Sequence, residues 1–217
     1  EDPMSSYVPA LGVRWLTRFY EPVVRYTMRD DEMKGLIVDA LALVDGMRVA
    51  DVGCGPGALA LRIAATHPNV EVVGVDGDPE VLATARAKAQ AEGARIRFVE
   101  GLAMAPPLEN AAFDRVVMSL VLHHLAPEDK KRALRAAHDL LRPGGEIHVI
   151  DWGGARSVVM RAAFLSIQLL DGFANTADHV RGALPAYLRE ASFANVAERR
   201  RERTICGVVS FYRGTRS

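Results

Sequence analysis

The sequence predicts an α/β fold, in which a mostly parallel β-sheet is covered by helices on both faces. From residue 47 onward, short apolar segments alternate with longer segments of helical periodicity, which is typical of such a sheet. In addition, VADVGCGPG (49–57) places three glycines directly behind the first apolar segment, where an open sheet forms a ligand-binding loop. With 217 residues, we expect a single domain.

Five short apolar segments are predicted to be parallel strands, because each is bounded by turn residues. They are residues 48–52, 70–75, 96–99, 114–120 and 146–150.

Three helices are predicted between these strands, over residues 58–65, 78–93 and 127–141. The second has the clearest start signal, since Asp78 can cap the helix, Pro79 suits its first turn and Glu80 faces its positive end. Gly93 suits its end. The glycines after Pro143 end the third helix and lead into the last of the five strands.

The two ends of the chain have different patterns. Residues 1–45 are predicted to form a helical cover on the main domain of residues 46–217, and residues 155–191 a helical lid. Residues 196–203 and 205–212 are predicted to pair as antiparallel strands at the sheet edge. The apolar stripe expected in the N-terminal helix consists of Leu36, Ile37, Ala40, Leu41 and Val44.

Composition excludes several functional classes. The 27 basic and 27 acidic residues cancel, so the positive charge expected of a nucleic-acid-binding protein is missing. Apolar runs are shorter than the roughly 20 residues that span a bilayer, and we expect no stable membrane insertion and no secretion signal. Cys54 and Cys206 are too few for a disulfide framework or a zinc cluster, so a reduced, cytoplasmic enzyme without a metal is expected.

The glycine loop suits two cofactors. Gly53, Gly55 and Ala58 satisfy the dinucleotide fingerprint, and Asp76 stands where an acid would hold a ribose, which leaves a nicotinamide-dependent oxidoreductase open. However, Asp51 lies inside the preceding strand, where its carboxylate suits a ligand with an ammonium and a sulfonium better than a pyrophosphate. The third glycine, Gly57, also favours S-adenosylmethionine.

Two later segments, FDRVVMSLVLHHL (113–125) and LLRPGGEIHVID (140–151), add to this pattern. Together with DVGCGPG they resemble class I S-adenosylmethionine-dependent methyltransferases, and are most similar to the small-molecule branch that includes the ubiquinone/menaquinone-biosynthesis enzymes. The resemblance covers residues 46–151. It implies a Rossmann-like three-layer sandwich with a seven-stranded sheet whose last strand is antiparallel. The implied cofactor is S-adenosylmethionine, with S-adenosylhomocysteine as its product.

The resemblance also implies a set of cofactor-binding residues. Gly53, Gly55 and Gly57 would pass under the methionine part, with Asp51 organising the loop beneath them, and Asp76, followed by Gly77, would accept the two ribose hydroxyls. Adenine would lie near Gly101, Leu102 and Ala103; Leu102 departs from the aspartate common in the family, so apolar packing replaces a polar contact. Ser119 and Leu120 would lie near the sulfonium, and Tyr20 would approach the cofactor from the N-terminal segment.

Catalytic candidates follow the fourth and fifth strands. His123 and His124 lie at the carboxyl edge, where one could act as a general base, or one could pack and the other face solvent. Asp151 could orient a substrate and Trp152 could stack on it; the alternative is a helix cap with a core tryptophan. His179 lies in a polar break; it could reach back over the active site, but we expect a surface turn. Asp78 is expected to be only a helix cap.

The acceptor is expected to be a small, apolar or aromatic molecule methylated at carbon, oxygen or nitrogen, since residues 158–170 would give the lid an apolar face. A lipid amine at a membrane surface stays open, as does a non-catalytic S-adenosylmethionine-binding protein. The run Glu198–Arg203 is expected to be a solvated edge rather than a phosphate site. The oligomeric state is left open.

Overall fold

A computed structural model describes residues 30–154, 178–179, 181–204 and 207–217 of the chain. Several predictions lie outside these residues. They are the helical cover before residue 30, Tyr20, the apolar lid segment 158–170 and Cys206.

The described residues form seven strands and five α-helices in α/β alternation. The strands are β1 (Arg48–Val52), β2 (Glu71–Asp76), β3 (Ile96–Glu100), β4 (Phe113–Ser119), β5 (Leu141–Trp152), β6 (Phe193–Thr204) and β7 (Gly207–Arg216). The helices are α1 (Asp30–Leu41), α2 (Ala58–Thr66), α3 (Pro79–Ala91), α4 (Pro127–Leu140) and α5 (Leu184–Glu190), with a 3₁₀ turn at Leu122–His124.

The strands form one sheet in the order β3-β2-β1-β4-β5-β7-β6. The strands from β1 to β5 pair in parallel, whereas β7 runs antiparallel to both β5 and β6. This confirms the predicted seven-stranded, mostly parallel sheet with an antiparallel last strand. The edge strand β6 carries the arginine-rich run, whose side chains pair along the strand, as Arg201 Nε does with Glu198 Oε1 at 2.6 Å.

The strand order reverses across the sheet at β1, which pairs with β2 on one side and β4 on the other. Such a switch point opens a crevice at the carboxyl ends of the strands, where open α/β sheets bind ligands. The register aligns these ends, since Val52 pairs with Val75 and Ser119 with Ile150. The loops after β1, β2, β4 and β5 therefore meet at one edge.

Helices cover both faces of the sheet. Successive residues of β1 point to opposite sides, so Val49 packs in the layer under α1, α2 and α3, and Ala50 in the layer under α4 and α5. The three-layer sandwich is therefore confirmed for the described residues.

The predicted apolar stripe of α1 is partly wrong. Ile37 and Leu41 are buried, but Ala40 is exposed and Val44 is 58% exposed. The helix ends at Leu41, so the helical period does not extend to Val44. Met33 and Val38 complete the buried face instead.

Candidate active site

The glycine loop after β1 is shaped by three left-handed residues. Gly53, Gly55 and Gly57 have φ angles of +75°, +53° and +76°, which favour glycine strongly. A Cβ on Gly53 would lie 2.4 Å from a methyl of Val121, and one on Gly57 would lie 3.0 Å from the Phe98 ring. A Cβ on Gly55 would meet nothing within 4 Å, so the loop faces open space at its middle glycine.

Asp76 at the end of β2 is tied to this loop. Its Oδ2 accepts a hydrogen bond from the backbone N–H of Gly55 at 2.8 Å, and its Oδ1 accepts one from the N–H of Asp78 at 3.0 Å. Each oxygen keeps a second lone pair, so the carboxylate can still accept two adjacent hydroxyls. Asp78 caps α3 by accepting from Glu80 N at 2.8 Å, as predicted.

Asp51 lies beneath the loop as a buried carboxylate. It is 2% exposed, and its Oδ2 has no hydrogen-bond partner among the described residues. Burial, and then the nearby charge of Asp76, raise the pKa of Asp51 to about 7. An unpartnered acceptor of this kind favours a cationic or hydrogen-bond-donating ligand above it.

The loop after β3 borders the same crevice. The N–H of Gly101 donates to the carbonyl oxygen of Asp76 at 2.9 Å, and a Cβ on Gly101 would lie 2.2 Å from Pro107 Cδ, so a larger residue would displace that proline. Leu102 is 39% exposed, while Ala103 is half-buried. Leu102 is therefore available to pack against a flat apolar group.

The carboxyl end of β4 carries a strained residue. Leu120 has a φ of +56°, a region that non-glycine residues seldom adopt, and its N–H donates to Ile150 O at 2.8 Å. Such strain is concentrated at functional sites. The turn directs Val121 onto Gly53, so Val121 forms a wall of the glycine loop that sequence reasoning missed.

Asp151 at the carboxyl end of β5 is the centre of a buried polar network. Its Oδ2 accepts from the N–H groups of Leu122 at 2.9 Å and His123 at 3.3 Å, and its Oδ1 from the N–H of Trp152 at 2.7 Å. Oδ1 also lies 2.9 Å from His123 Nδ1. Burial opposes ionisation, but His123 and His179 outweigh it and hold the pKa of Asp151 well below its usual range. We therefore assign the proton of His123 to Nδ1.

The neighbouring aromatic residues have distinct positions. His123 is buried, whereas His124 is exposed, with ring centroids 3.9 Å apart. Trp152 is buried in the core with Val209 and Phe211, which favours core packing over stacking on a substrate.

The prediction that His179 lies in a surface turn is wrong. It is 1% exposed, and its Nε2 lies 3.6 Å from Asp151 Oδ1. Burial opposes its protonation, but Asp151 and Asp178 outweigh this effect and raise the pKa of His179. The residue before it, Asp178, forms a buried ion pair with Lys130, whose Nζ also lies 3.1 Å from His179 Nδ1.

Lys130 and Asp178 are polar residues of this network that sequence reasoning missed. Lys130 Nζ donates to Asp178 Oδ1 at 2.6 Å and Oδ2 at 2.8 Å, and both side chains are buried. The sequence of α4 does indicate that Lys130 is buried, because its spacing from Ala133, Leu134 and Ala137 places it on the same face of the helix as these apolar residues. A lysine on the apolar stripe of a helix indicates a buried partner.

Two kinds of feature are absent from the described part of the chain. None of its helices is long and apolar enough to cross a membrane. In the same residues, no group of three or more His, Cys, Asp or Glu side chains could hold a metal ion.

The sequence that forms this site matches a protein-family model. The model described as a methyltransferase domain matches residues 49–145, from β1 to the start of β5. The matched residues are similar to this family and include the glycine loop, Asp76 and the His123–His124 turn. The family resemblance predicted from the sequence is thus confirmed as a resemblance. The oxidoreductase alternative is not favoured.

Curated relatives have similar names. A demethylmenaquinone methyltransferase of Thermus thermophilus is 38% identical over 121 residues, covering 54% of this chain and 54% of that protein. A ubiquinone/menaquinone biosynthesis C-methyltransferase of Paracoccus denitrificans is 31% identical over 140 residues, covering 59% and 54% respectively. The chain thus spans about half the length of the curated relatives it matches.

Solved structures share the fold. The apo structure of the S-adenosylmethionine-dependent methyltransferase SibL superposes with a TM-score of 0.71 at 24% identity, covering 91% of this chain and 57% of that one. Likeness at this identity is a likeness of fold.

Proposed function

We propose that this chain transfers a methyl group from S-adenosylmethionine to a small, apolar or aromatic acceptor. The observation that carries the proposal is the glycine loop, which faces open space at Gly55 and is hydrogen-bonded there to Asp76. The matched methyltransferase domain and the relatives' names support it.

The cofactor site fits the residues present. The unpartnered Oδ2 of Asp51 suits a cationic ligand above the loop, and the two oxygens of Asp76 suit a pair of ribose hydroxyls. Leu102 would cover adenine by apolar packing. The residues proposed to hold S-adenosylmethionine are Asp51, Gly53, Gly55, Gly57, Asp76, Gly77, Gly101, Leu102, Ala103, Ser119, Leu120 and, outside the described residues, Tyr20.

When bound, S-adenosylmethionine supplies a methyl group activated by its positively charged sulfur. The chain's own contribution is alignment, exclusion of water and removal of a proton where the acceptor carries one. His123 is the proposed base, because Asp151 holds its Nδ1–H and leaves Nε2 as the basic nitrogen. His124, exposed beside it, is proposed to contact the acceptor.

The acceptor class follows from the relatives and the lid. The printed names of two relatives refer to demethylmenaquinone and to ubiquinone or menaquinone biosynthesis, so a reduced quinone is the first candidate acceptor. The proposed lid of residues 155–191 is apolar in its first half, which would cover such a molecule together with the N-terminal segment 1–45. Its last helix, α5, packs instead in the helical layer beside α4. We propose a reduced, cytoplasmic setting, which the free buried thiol of Cys54 supports.

Calorimetric titration with S-adenosylhomocysteine tests the cofactor. Saturable heat would support the proposal, whereas no heat with S-adenosylhomocysteine and saturable tryptophan quenching by NADH would overturn it in favour of an oxidoreductase. Transfer of labelled methyl from S-adenosylmethionine to reduced demethylmenaquinone, and in parallel to extract metabolites, tests the acceptor. Tight cofactor binding with no labelled product in either assay would instead indicate a non-catalytic binding protein.

A further inference from the structure

A cavity lies beside α1 and the antiparallel strands, away from the catalytic edge of the sheet. Its volume is about 210 Å³, and it is lined by Ala40, His148, Arg199, Phe211, Tyr212 and Arg213. His148 precedes Asp151 by three positions on β5, so its side chain points to the opposite face and lies about 10 Å back along the strand. The cavity is therefore a site apart from the methyl-transfer crevice.

The polar groups at this cavity surround the carboxylate of Glu146. Its Oε2 lies 3.3 Å from His148 Nε2 and 3.7 Å from Arg115 Nε, and its Oε1 lies 3.4 Å from Arg213 Nη1. Arg115 Nε has a second partner, since it donates to Leu41 O at 2.8 Å. In contrast, Arg213 Nε is buried and has no hydrogen-bond partner among the described residues. A buried donor of this kind favours an acceptor in the cavity that Arg213 lines.

Arg199 brings a second guanidinium to the same cavity. The pairing of β6 with β7 shifts register between Glu198 and Arg200, so Arg199 is the extra residue of a β-bulge in the edge strand. Bulges redirect side chains, and this one carries Arg199 to the cavity. Arg200 and Arg201 form ion pairs along β6, whereas Arg199 forms none with the described residues. Its guanidinium is therefore available to a ligand.

The size and the lining of the cavity indicate the class of ligand. Its volume lies below the roughly 300–1,000 Å³ of sites for drug-sized ligands, so it suits a small molecule. A guanidinium fork matches the planar geometry of a carboxylate, and Phe211 and Ala40 offer apolar surface beside it. Inorganic phosphate would leave this apolar surface without a partner and would place more negative charge next to Glu146. A carboxylate with an apolar body fits both parts of the lining.

We propose that this cavity binds a small apolar or aromatic carboxylate. The carboxylate group lies between Arg199 and Arg213, and the apolar body packs against Phe211 and Ala40. The protein thereby has a second small-molecule site, which requires neither S-adenosylmethionine nor a methyl acceptor.

NMR of the histidine rings in the full chain tests the site, with benzoate as the probe at constant pH and ionic strength. Benzoate should shift the His148 ring signals saturably in the millimolar range, while those of His138, on α4, should stay in place. His148→Gln assigns the signals. Benzamide has the same shape without the charge and should bind at least about fivefold more weakly. No saturable shift, or equal binding of benzoate and benzamide, would overturn the proposal.

The same titration on arginine variants locates the carboxylate. Arg199→Gln should weaken benzoate binding at least about fivefold, whereas Arg203→Gln, at another exposed arginine of β6, should not. Arg213→Lys keeps a positive charge near Glu146 but removes the Nε–H donor, so it should also weaken binding. Equal affinities in the wild type and Arg199→Gln would overturn the proposal, and so would tighter binding of inorganic phosphate than of benzoate.

The two exposed sites keep the test decisive if Arg213→Lys does not fold. The titrations use neither cofactor nor acceptor, so failure of the proposed function is seen separately, as the absence of S-adenosylhomocysteine binding.

Discussion

The carboxylate of Asp76 and the backbone N–H of Gly55 are joined by a hydrogen bond of 2.8 Å across the switch point of the sheet. The bond connects the end of β2 with the loop after β1, so the acid proposed to hold the ribose also fixes the glycine proposed to face the methionine part. A change in either residue is therefore expected to alter both halves of the cofactor site.

Asp76→Asn should weaken S-adenosylhomocysteine binding by about tenfold or more, because an amide offers one acceptor oxygen where the carboxylate offers two. Calorimetry measures the loss. Asp78→Asn is the control, since asparagine also caps helices well and Asp78 has no proposed ligand contact. Equal losses in both variants would contradict the role assigned to Asp76.

Removing one member of the buried Lys130–Asp178 ion pair should destabilise the protein. Lys130→Met leaves the Asp178 carboxylate buried without the ammonium group that balances its charge, and should lower the free energy of unfolding by about 3–5 kcal/mol. The double variant Lys130→Met/Asp178→Asn removes both charges and should lose less. Urea denaturation of the two variants and the wild type measures the difference; a double variant less stable than Lys130→Met would contradict the pairing.

The buried carboxyl of Asp51 should make the ligand-free protein less stable as the pH rises. Its pKa is about 7 in the folded chain against the usual 3.8, so between about pH 4 and pH 7 the folded state holds a proton that the unfolded state has released. The free energy of unfolding should fall on the order of a few kcal/mol as the pH rises across this window. The contribution of Asp51 to stability is therefore greatest near the lower pH.

Asp51→Asn should remove most of that dependence, while Asp39→Asn, at an exposed site on α1, should not. Urea denaturation at about pH 5 and pH 7 measures both. An equal pH dependence in the wild type and Asp51→Asn would refute the raised pKa.

Leu102 provides a test of adenine packing. Leu102→Ser should weaken binding of S-adenosylhomocysteine while leaving stability nearly unchanged, because the side chain is 39% exposed in the free protein and would be covered only by the ligand. Val44→Ser, at the exposed valine after α1, is the control and should affect neither property. Unchanged binding in Leu102→Ser would exclude this residue from the site.

The sheet was predictable because its signals are local. Residues 48–52 are an apolar run closed by glycine, and Asp78 and Pro79 specify the start of α3, so both elements lie where their patterns place them. The antiparallel pairing of the last two strands was predicted from their residues and agrees with what the family resemblance implies. The extent of β5 and β7 was underestimated because their pairing, with partners from Glu146–Thr215 to Trp152–Val209, depends on contacts between distant segments.

The candidate site was predictable in part for the same reason. Glycines with positive φ and acids at strand ends leave clear patterns, whereas His179 is buried in contact with Lys130, 49 positions earlier in the chain. The polar residues around position 179 indicated a surface turn because no local pattern reveals a distant counter-ion.

The most direct test of the central claim compares Gly55→Val with Gly93→Val by S-adenosylhomocysteine calorimetry. Both glycines have positive φ, +53° and +63°, and open space where a Cβ would lie, so the two variants share the same backbone strain. Only Gly55 lies in the proposed cofactor site. We predict that Gly55→Val binds at least about tenfold more weakly than the wild type while Gly93→Val binds equally well; equal binding by all three proteins would contradict the account.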